Sequence, residues 1–364
     1  MGRKFVAVLL VATLVVSLYS AVNLAYSANS ILEQVNEIIE QVQEIRGLIF
    51  KEKPKIVVIT RAEAIRLFGP SSQNEEELRI QELTYKMTLL IPGNYSFIQA
   101  KREESAGWIA LTVGNTIYIV EENFESNPAM AKRALAHELT HVLQKQWFNA
   151  KYSANTFDGT LAVRALVEGD ADLVADIYCE RNGIPIYKIR SLSGNPITDI
   201  GIFPYVFGDS FVRYLYEKGG WKLVNEAYRH YPVSTAQIMH PNLYLENVTP
   251  VNVSLKLSGN WSVLRDDRMG AFYVYILLHD SAKLNNETAW NVSTAWRGDK
   301  LLLAVNGTDY VLLWKVEFSS DEAAKTFAGI LKELAEKDDY AHFTITLSGK
   351  TVLLKAVRGV RVEA

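Results

Sequence analysis

His137 and His141 stand four residues apart with Glu138 between them, in the stretch Ala136-His137-Glu138-Leu139-Thr140-His141-Val142. On an α-helix four residues rise about 6 Å and turn through about one revolution, so both imidazoles leave one face and can meet at one ion. Glu138 leaves the helix about a hundred degrees round, beside such an ion rather than on it, where its carboxylate can take a proton from an attacking water. With six histidines in 364 residues, a His-Glu-x-x-His pattern arises by chance on the order of once in a hundred chains. The pattern therefore points to a metal site. A catalytic zinc takes three protein ligands and keeps a fourth position open, so a third ligand is needed.

Candidates come 27 residues after His141, in Leu166-Val167-Glu168-Gly169-Asp170-Ala171-Asp172-Leu173-Val174. Glu168 and Asp172 are again four apart and share a helix face. With Glu168 on the metal, Asp172 falls one turn along, placed to accept the distal N–H of a ligand imidazole and fix its tautomer. The competing use of such residues is a solvated acidic face, to which Asp170 is assigned.

The elements that must position these groups follow from their flanks. Asn127 before Pro128 predicts a helix N-cap with proline at the first helical position, and Ala129 to Trp147 carries that helix through both histidines. Thr160 to Arg181 predicts a second helix, stopped at Asn182-Gly183 by a left-handed glycine. Before the first helix, Gly107–Val113 and Thr116–Val120 predict a hairpin turning at Gly114-Asn115. Trp108 to Val113 is either a sheet edge or an interior strand. Further upstream, Lys55–Thr60 reads as a strand, with Arg61–Phe68 and Asn74–Leu90 as helices. Ile31, Val35, Ile38, Val42, Ile45 and Ile49 alternate at coiled-coil spacing. Residues 31–49 are then either the seam of a homodimer or an amphipathic helix packed on its own domain.

His-Glu-x-x-His followed by Glu-x-x-Ala-Asp resembles the gluzincin zinc peptidases, the thermolysin and neprilysin superfamily. The superfamily motif covers roughly residues 130 to 175. The longer phrases HELTHVLQ, RALVEGDADLV and VSTAQIMHPNLY are similar to those of uncharacterised prokaryotic relatives of that superfamily. The resemblance implies an α+β fold, a zincin-like metallopeptidase domain with a mixed sheet and active-site helices. It implies Zn2+ held by His137, His141 and Glu168, Glu138 as general base, Asp172 orienting a ligand, and a peptide or protein substrate paired along an edge strand. It also implies a downstream hydrogen-bond donor to the oxyanion. His240 is the candidate, with Tyr244 and Tyr205 as rivals, against the alternative of a histidine satisfied at a helix end. No counterpart of the family's Asn-Ala-x-Tyr strand is present, so no peptide specificity is implied.

Met1-Gly2-Arg3-Lys4 is a short basic leader before an apolar run from Phe5 through Val22, read as an uncleaved signal anchor over residues 1–28, or a signal peptide. Arg3 and Lys4 should stay inside and the rest of the chain outside, on the cell surface or secreted. Seven Asn-x-Ser/Thr triplets, at Asn94, Asn247, Asn252, Asn260, Asn286, Asn291 and Asn306, agree with export. The single cysteine, Cys179, rules out a disulfide within the chain and reads as a buried helix residue.

Downstream, the stretch Phe203 to Gly208 leads into a helix to Lys218 closed by Gly219-Gly220, with another from Trp221 to Arg229 and one turn after Ser234. From residue 251 the pattern is helix Arg268–His279, strands Lys300–Val305 and Tyr310–Phe318, helix Ser320–Lys337, and strands His342–Leu347 and Thr351–Arg358. This predicts a smaller α+β C-terminal module with mostly antiparallel strands. The expected organisation is a leader (1–28), an amphipathic helix (29–53), a zincin-like domain (54–250) and the module (251–364). There is no phosphate loop, no cysteine pair for structural zinc and, at net charge −3, no basic field for nucleic acid. The functional expectation is an extracytoplasmic zinc metallopeptidase; the alternative is a surface-anchored binding protein that keeps the fold without catalysis.

Overall fold

The computed structural model describes residues 35–68, 75–98 and 109–359. The leader over 1–28, the seam residue Ile31, Asn74 and the strand start at Gly107-Trp108 lie outside the described residues. Among the described residues no helix is long and apolar enough to cross a membrane. The architecture is α+β, in two compact units that do not follow chain order. The first takes the described parts of Met1–Ala64, Trp108–Gln146 and Val174–Ile186; the second those of Ile65–Gly107, Trp147–Leu173 and Tyr187–Ala364.

In the first unit, helix α1 (residues 35–46) buries Val35, Ile38, Val42 and Ile45, so this part of the seam is covered within the single chain. Gly47, at φ 69°, ends the helix, with the N–H groups of Gly47 and Leu48 both donating to the Gln43 carbonyl. Ile49 falls past that cap and is 72% exposed, so the apolar repeat stops one position earlier than its spacing predicts. A three-stranded sheet follows, of β1 (Lys55–Ile59), β2 (Ala110–Val113) and β3 (Thr116–Val120), in the order β1-β3-β2. β1 runs parallel to β3, and β2 pairs antiparallel to it through a turn at Gly114, φ 64°. Among the described residues β2 is an edge strand. Helix α4 (Glu121–Ser126) follows β3 in this unit, whereas α2 (Arg61–Phe68) passes from the first unit into the second and α3 (Glu75–Met87) belongs to the second.

In the second unit the long helix Pro196–Ala227 starts earlier than expected, because Asn195 caps it by accepting from Ile197 and Thr198 N–H. Gly219 and Gly220 break its geometry where the sequence places a stop. Ser234 caps a short helix, Thr235–Met239, and Pro241–Leu245 follows. A five-stranded antiparallel sheet then forms from β4 (Ser262–Asp267), β5 (Trp296–Asn306), β6 (Asp309–Phe318), β7 (His342–Ser348) and β8 (Thr351–Arg358), in the order β4-β5-β6-β8-β7. Helix Asp321–Ala335 packs on it, capped by Ser320. The helix predicted from Arg268 begins only at Ala271. Gly270 sits at φ 91°, and the N–H groups of Met269 and Gly270 are bound by Asp299. β4 and the helix Asn286–Thr294 are additions to the predicted pattern.

Candidate metal centre

Helix α5 (Pro128–Phe148) carries the two histidines. Asn127 Oδ1 accepts from Met130 N–H at 3.1 Å, closing the helix start around a proline whose missing N–H costs nothing there. Leu135, Ala136, Leu139, Val142 and Leu143 are fully buried and sink the helix into the core. Helix α6 (Phe157–Arg181) carries Glu168 and stops before Gly183, at φ 64°. Gly169, beside Glu168, lies against the backbone of Gly208 in helix α7 (Pro196–Ala227). A Cβ on Gly169 would come within 2.1 Å of the Gly208 carbonyl oxygen, and one on Gly208 within 2.2 Å of that of Ala165. No other residue type fits either place, so these glycines fix the contact face of the segment that bears Glu168.

His137 and His141 are buried, and their Nε2 atoms face each other at 3.0 Å. Together with a carboxylate oxygen of the half-buried Glu168, these ligand atoms all lie within 4.8 Å of one another. The group could hold a metal ion. No other set of three histidine, cysteine or acidic side chains comes together in this way among the described residues.

Several neighbours tune this arrangement. His141 Nδ1 meets Gln144 Oε1 at 2.8 Å; the amide oxygen accepts a hydrogen bond from Nδ1–H, and Nε2 is the ring nitrogen that could take a metal. Gln144 was not singled out from the sequence; its signal is the three-residue step from His141 on the same buried face. Arg133, one turn before His137, pairs with Asp176, one turn after Asp172, at 2.9 Å and almost fully buried. This ion pair ties α5 to α6. Cys179, on the same helix, is buried, and burial pushes its thiol up to about 11, so it is protonated and unreactive at neutral pH. Thr112, on edge strand β2, donates to the backbone carbonyl of Glu138 at 3.2 Å, fastening the strand to the metal helix.

The eCIS core domain matches residues 98–147, which hold the hairpin and the His-Glu-x-x-His helix. A domain of unknown function, DUF8575, matches residues 262–360, the five-stranded sheet with its helices. Neither a curated protein nor a solved structure matches the chain.

Other predicted residues fall differently. Asp170 is not on a solvated face: it is fully buried and accepts a 2.7 Å hydrogen bond from Tyr228, whose ring stacks on Phe148 at 4.4 Å. Asp172 is buried on α6. His240 joins helices α8 (Thr235–Met239) and α9 (Pro241–Leu245). Its Nε2 lies 3.0 Å from Thr294 Oγ1, its ring is 5.0 Å from that of Trp290, and burial lowers its pKa. These partners fit a histidine satisfied at a helix junction. Tyr244 donates to the His230 carbonyl at 2.8 Å, and Tyr205 lies within α7.

Proposed function

We propose that the chain is a zinc-dependent metallopeptidase of gluzincin type, acting outside the cytoplasm on peptide bonds. The observation that carries this reading is the convergence of His137 Nε2, His141 Nε2 and the Glu168 carboxylate. Tetrahedral zinc, with bonds of ~2.0–2.1 Å, needs ligand atoms ~3.3 Å apart. The two nitrogens are already near that spacing, and Glu168, half-buried on a long side chain, can close the remainder by rotamer adjustment. Two imidazoles and one carboxylate form a donor set used by catalytic zinc, with room for a fourth ligand.

Zinc bound there would lower the pKa of a water and polarise the scissile carbonyl. Glu138, a hundred degrees round the helix from the ligands, is the group to accept that water's proton and hand it to the leaving amine. Gln144 sets the His141 tautomer. On α5, Arg133, His137 and His141 follow one another at four-residue steps, and so do Glu168, Asp172 and Asp176 on α6. Asp172 therefore stands one turn along α6 from Glu168 and one turn before Asp176, the partner of Arg133. Asp172 is the residue assigned to orient a ligand histidine. The side of β2 that no described strand pairs, tied to the Glu138 carbonyl through Thr112, offers backbone groups to an extended peptide.

The test compares the native chain with Glu138→Gln in a peptide-library digestion. Glu138→Gln keeps the shape of the side chain but cannot accept a proton, so turnover of any cleaved peptide should fall by at least ~10²-fold with zinc content unchanged. Native activity in the variant would refute the role of Glu138. A native chain that cleaves nothing would favour the binding-protein alternative.

A further inference from the structure

The asparagines of this chain divide into two populations. After residue 245 there are seven, and six of them, Asn247, Asn252, Asn260, Asn286, Asn291 and Asn306, begin Asn-x-Ser/Thr; of the fourteen earlier ones only Asn94 does. Serine and threonine together make up about one residue in nine, so roughly one such triplet among seven asparagines is the random expectation. Six is far outside it. The fold sharpens the contrast, because all seven triplet asparagines are exposed and all belong to the second compact unit. The asparagines of the first unit carry none.

The local geometry suits modification at the side-chain amide nitrogen. Asn247 stands at φ 54° just past helix α9, and Asn252 and Asn260 lie in the irregular stretch before β4. Asn306 ends β5 at the hairpin tip, next to Gly307 at φ 61°. Asn286 and Asn291 are on the helix Asn286–Thr294, with their side chains exposed. Asn286 Oδ1 accepts a 2.7 Å hydrogen bond from Tyr275, which uses the oxygen, whereas the modification takes Nδ2.

We propose that the second unit is N-glycosylated at these asparagines. In the transfer, Nδ2 attacks C1 of a saccharide carried on a lipid phosphate. The C–N bond forms as the C1–O bond to phosphate breaks, the lipid phosphate leaves with the bonding pair, and the amide proton passes to a base of the transferase. The inference rests on export of the chain and is independent of the peptidase chemistry. A transferase must hold the triplet extended, so Asn247, Asn252 and Asn260 are accessible in the folded chain, while Asn291 must react before its helix forms. Occupancy should follow that order.

The test is intact-mass measurement and glycopeptide sequencing of the full chain purified from its source organism, with the cytoplasmic and extracytoplasmic fractions kept apart. The expected result is saccharide on Asn247, Asn252 and Asn260, lower occupancy on Asn291, and none on asparagines outside the triplets such as Asn242. Replacing the three loop asparagines with glutamine should remove the corresponding mass steps. Unmodified asparagine at all seven positions in extracytoplasmic chain would overturn the proposal. Recovery of the chain only from the cytoplasm would overturn it too, while leaving the metal chemistry of His137, His141 and Glu168 untouched.

Discussion

Around Asp299, four N–H groups converge on one buried carboxylate, from Met269, Gly270, Trp296 and Trp314, at 2.8 to 3.0 Å. At His137 and His141 the grouping is different: two Nε2 atoms face each other at 3.0 Å with the Glu168 carboxylate beside them. The first cluster is completed by the protein's own donors. The second brings together two imidazoles and a carboxylate, groups that could hold a metal ion. Burial of polar atoms is common to both, so it is the direction of the hydrogen-bonding groups that separates a structural cluster from a candidate metal centre. Asp158 belongs with Asp299: it is fully buried and accepts from Thr235 N–H, Thr235 Oγ1 and Arg268 Nε.

The comparison can be broken most forcefully at Asp299. Asp299→Ala strands four buried donors and should cost ~3–5 kcal/mol of stability, read by urea unfolding, while the zinc bound per folded chain stays the same. A loss of zinc from folded Asp299→Ala would merge two clusters that are here held distinct.

A smaller effect is expected at the metal end. Asp172→Ala should weaken zinc binding by on the order of ten- to a hundredfold, and Gln144→Leu by roughly tenfold, because each frees one imidazole from its fixed tautomer. Competition with a chelating dye measures both. Unchanged affinity in Asp172→Ala would remove that residue from the support of a ligand histidine.

A further effect concerns pH. Burial pushes the Asp299 carboxyl up to about 6, against the N–H donors of Met269, Gly270 and Trp314 that hold it down. Unfolded aspartate titrates near ~3.9. In that window the folded chain keeps a proton the unfolded chain has released, so this group makes stability fall as pH rises from about 4 to about 6 and adds no slope above that. Urea midpoints across that range should flatten in Asp299→Asn; an unaltered slope would assign the titration to another group.

The metal helices were legible because their signals are local. Asn127-Pro128, the four-residue step between histidines and Gly183 each act through neighbouring backbone, and the structure returns them in place. Gly114 likewise marks the hairpin. Asp170 was misread because its partner, Tyr228, lies 58 residues away on another element, and a lone carboxylate on a helix carries no mark of such a partner. The late start at Ala271 has the same origin, since Asp299, 29 residues downstream of Gly270, takes the N–H that would otherwise begin the helix. The helix Asn286–Thr294 is nine residues long, capped by Asn285, and buries only Ala289, Val292 and Ser293, too short an apolar pattern to stand out in the sequence. Gly169 and Gly208 look like weak points in helical stretches, and only their mutual approach explains them.

The central claim is that His137, His141 and Glu168 together hold one metal ion, and elemental analysis of purified chain tests it most directly. The native protein and Glu138→Gln should each carry one zinc per chain, and His141→Ala and Glu168→Ala should carry none while remaining folded by circular dichroism. Full zinc retention in Glu168→Ala would contradict the site as drawn.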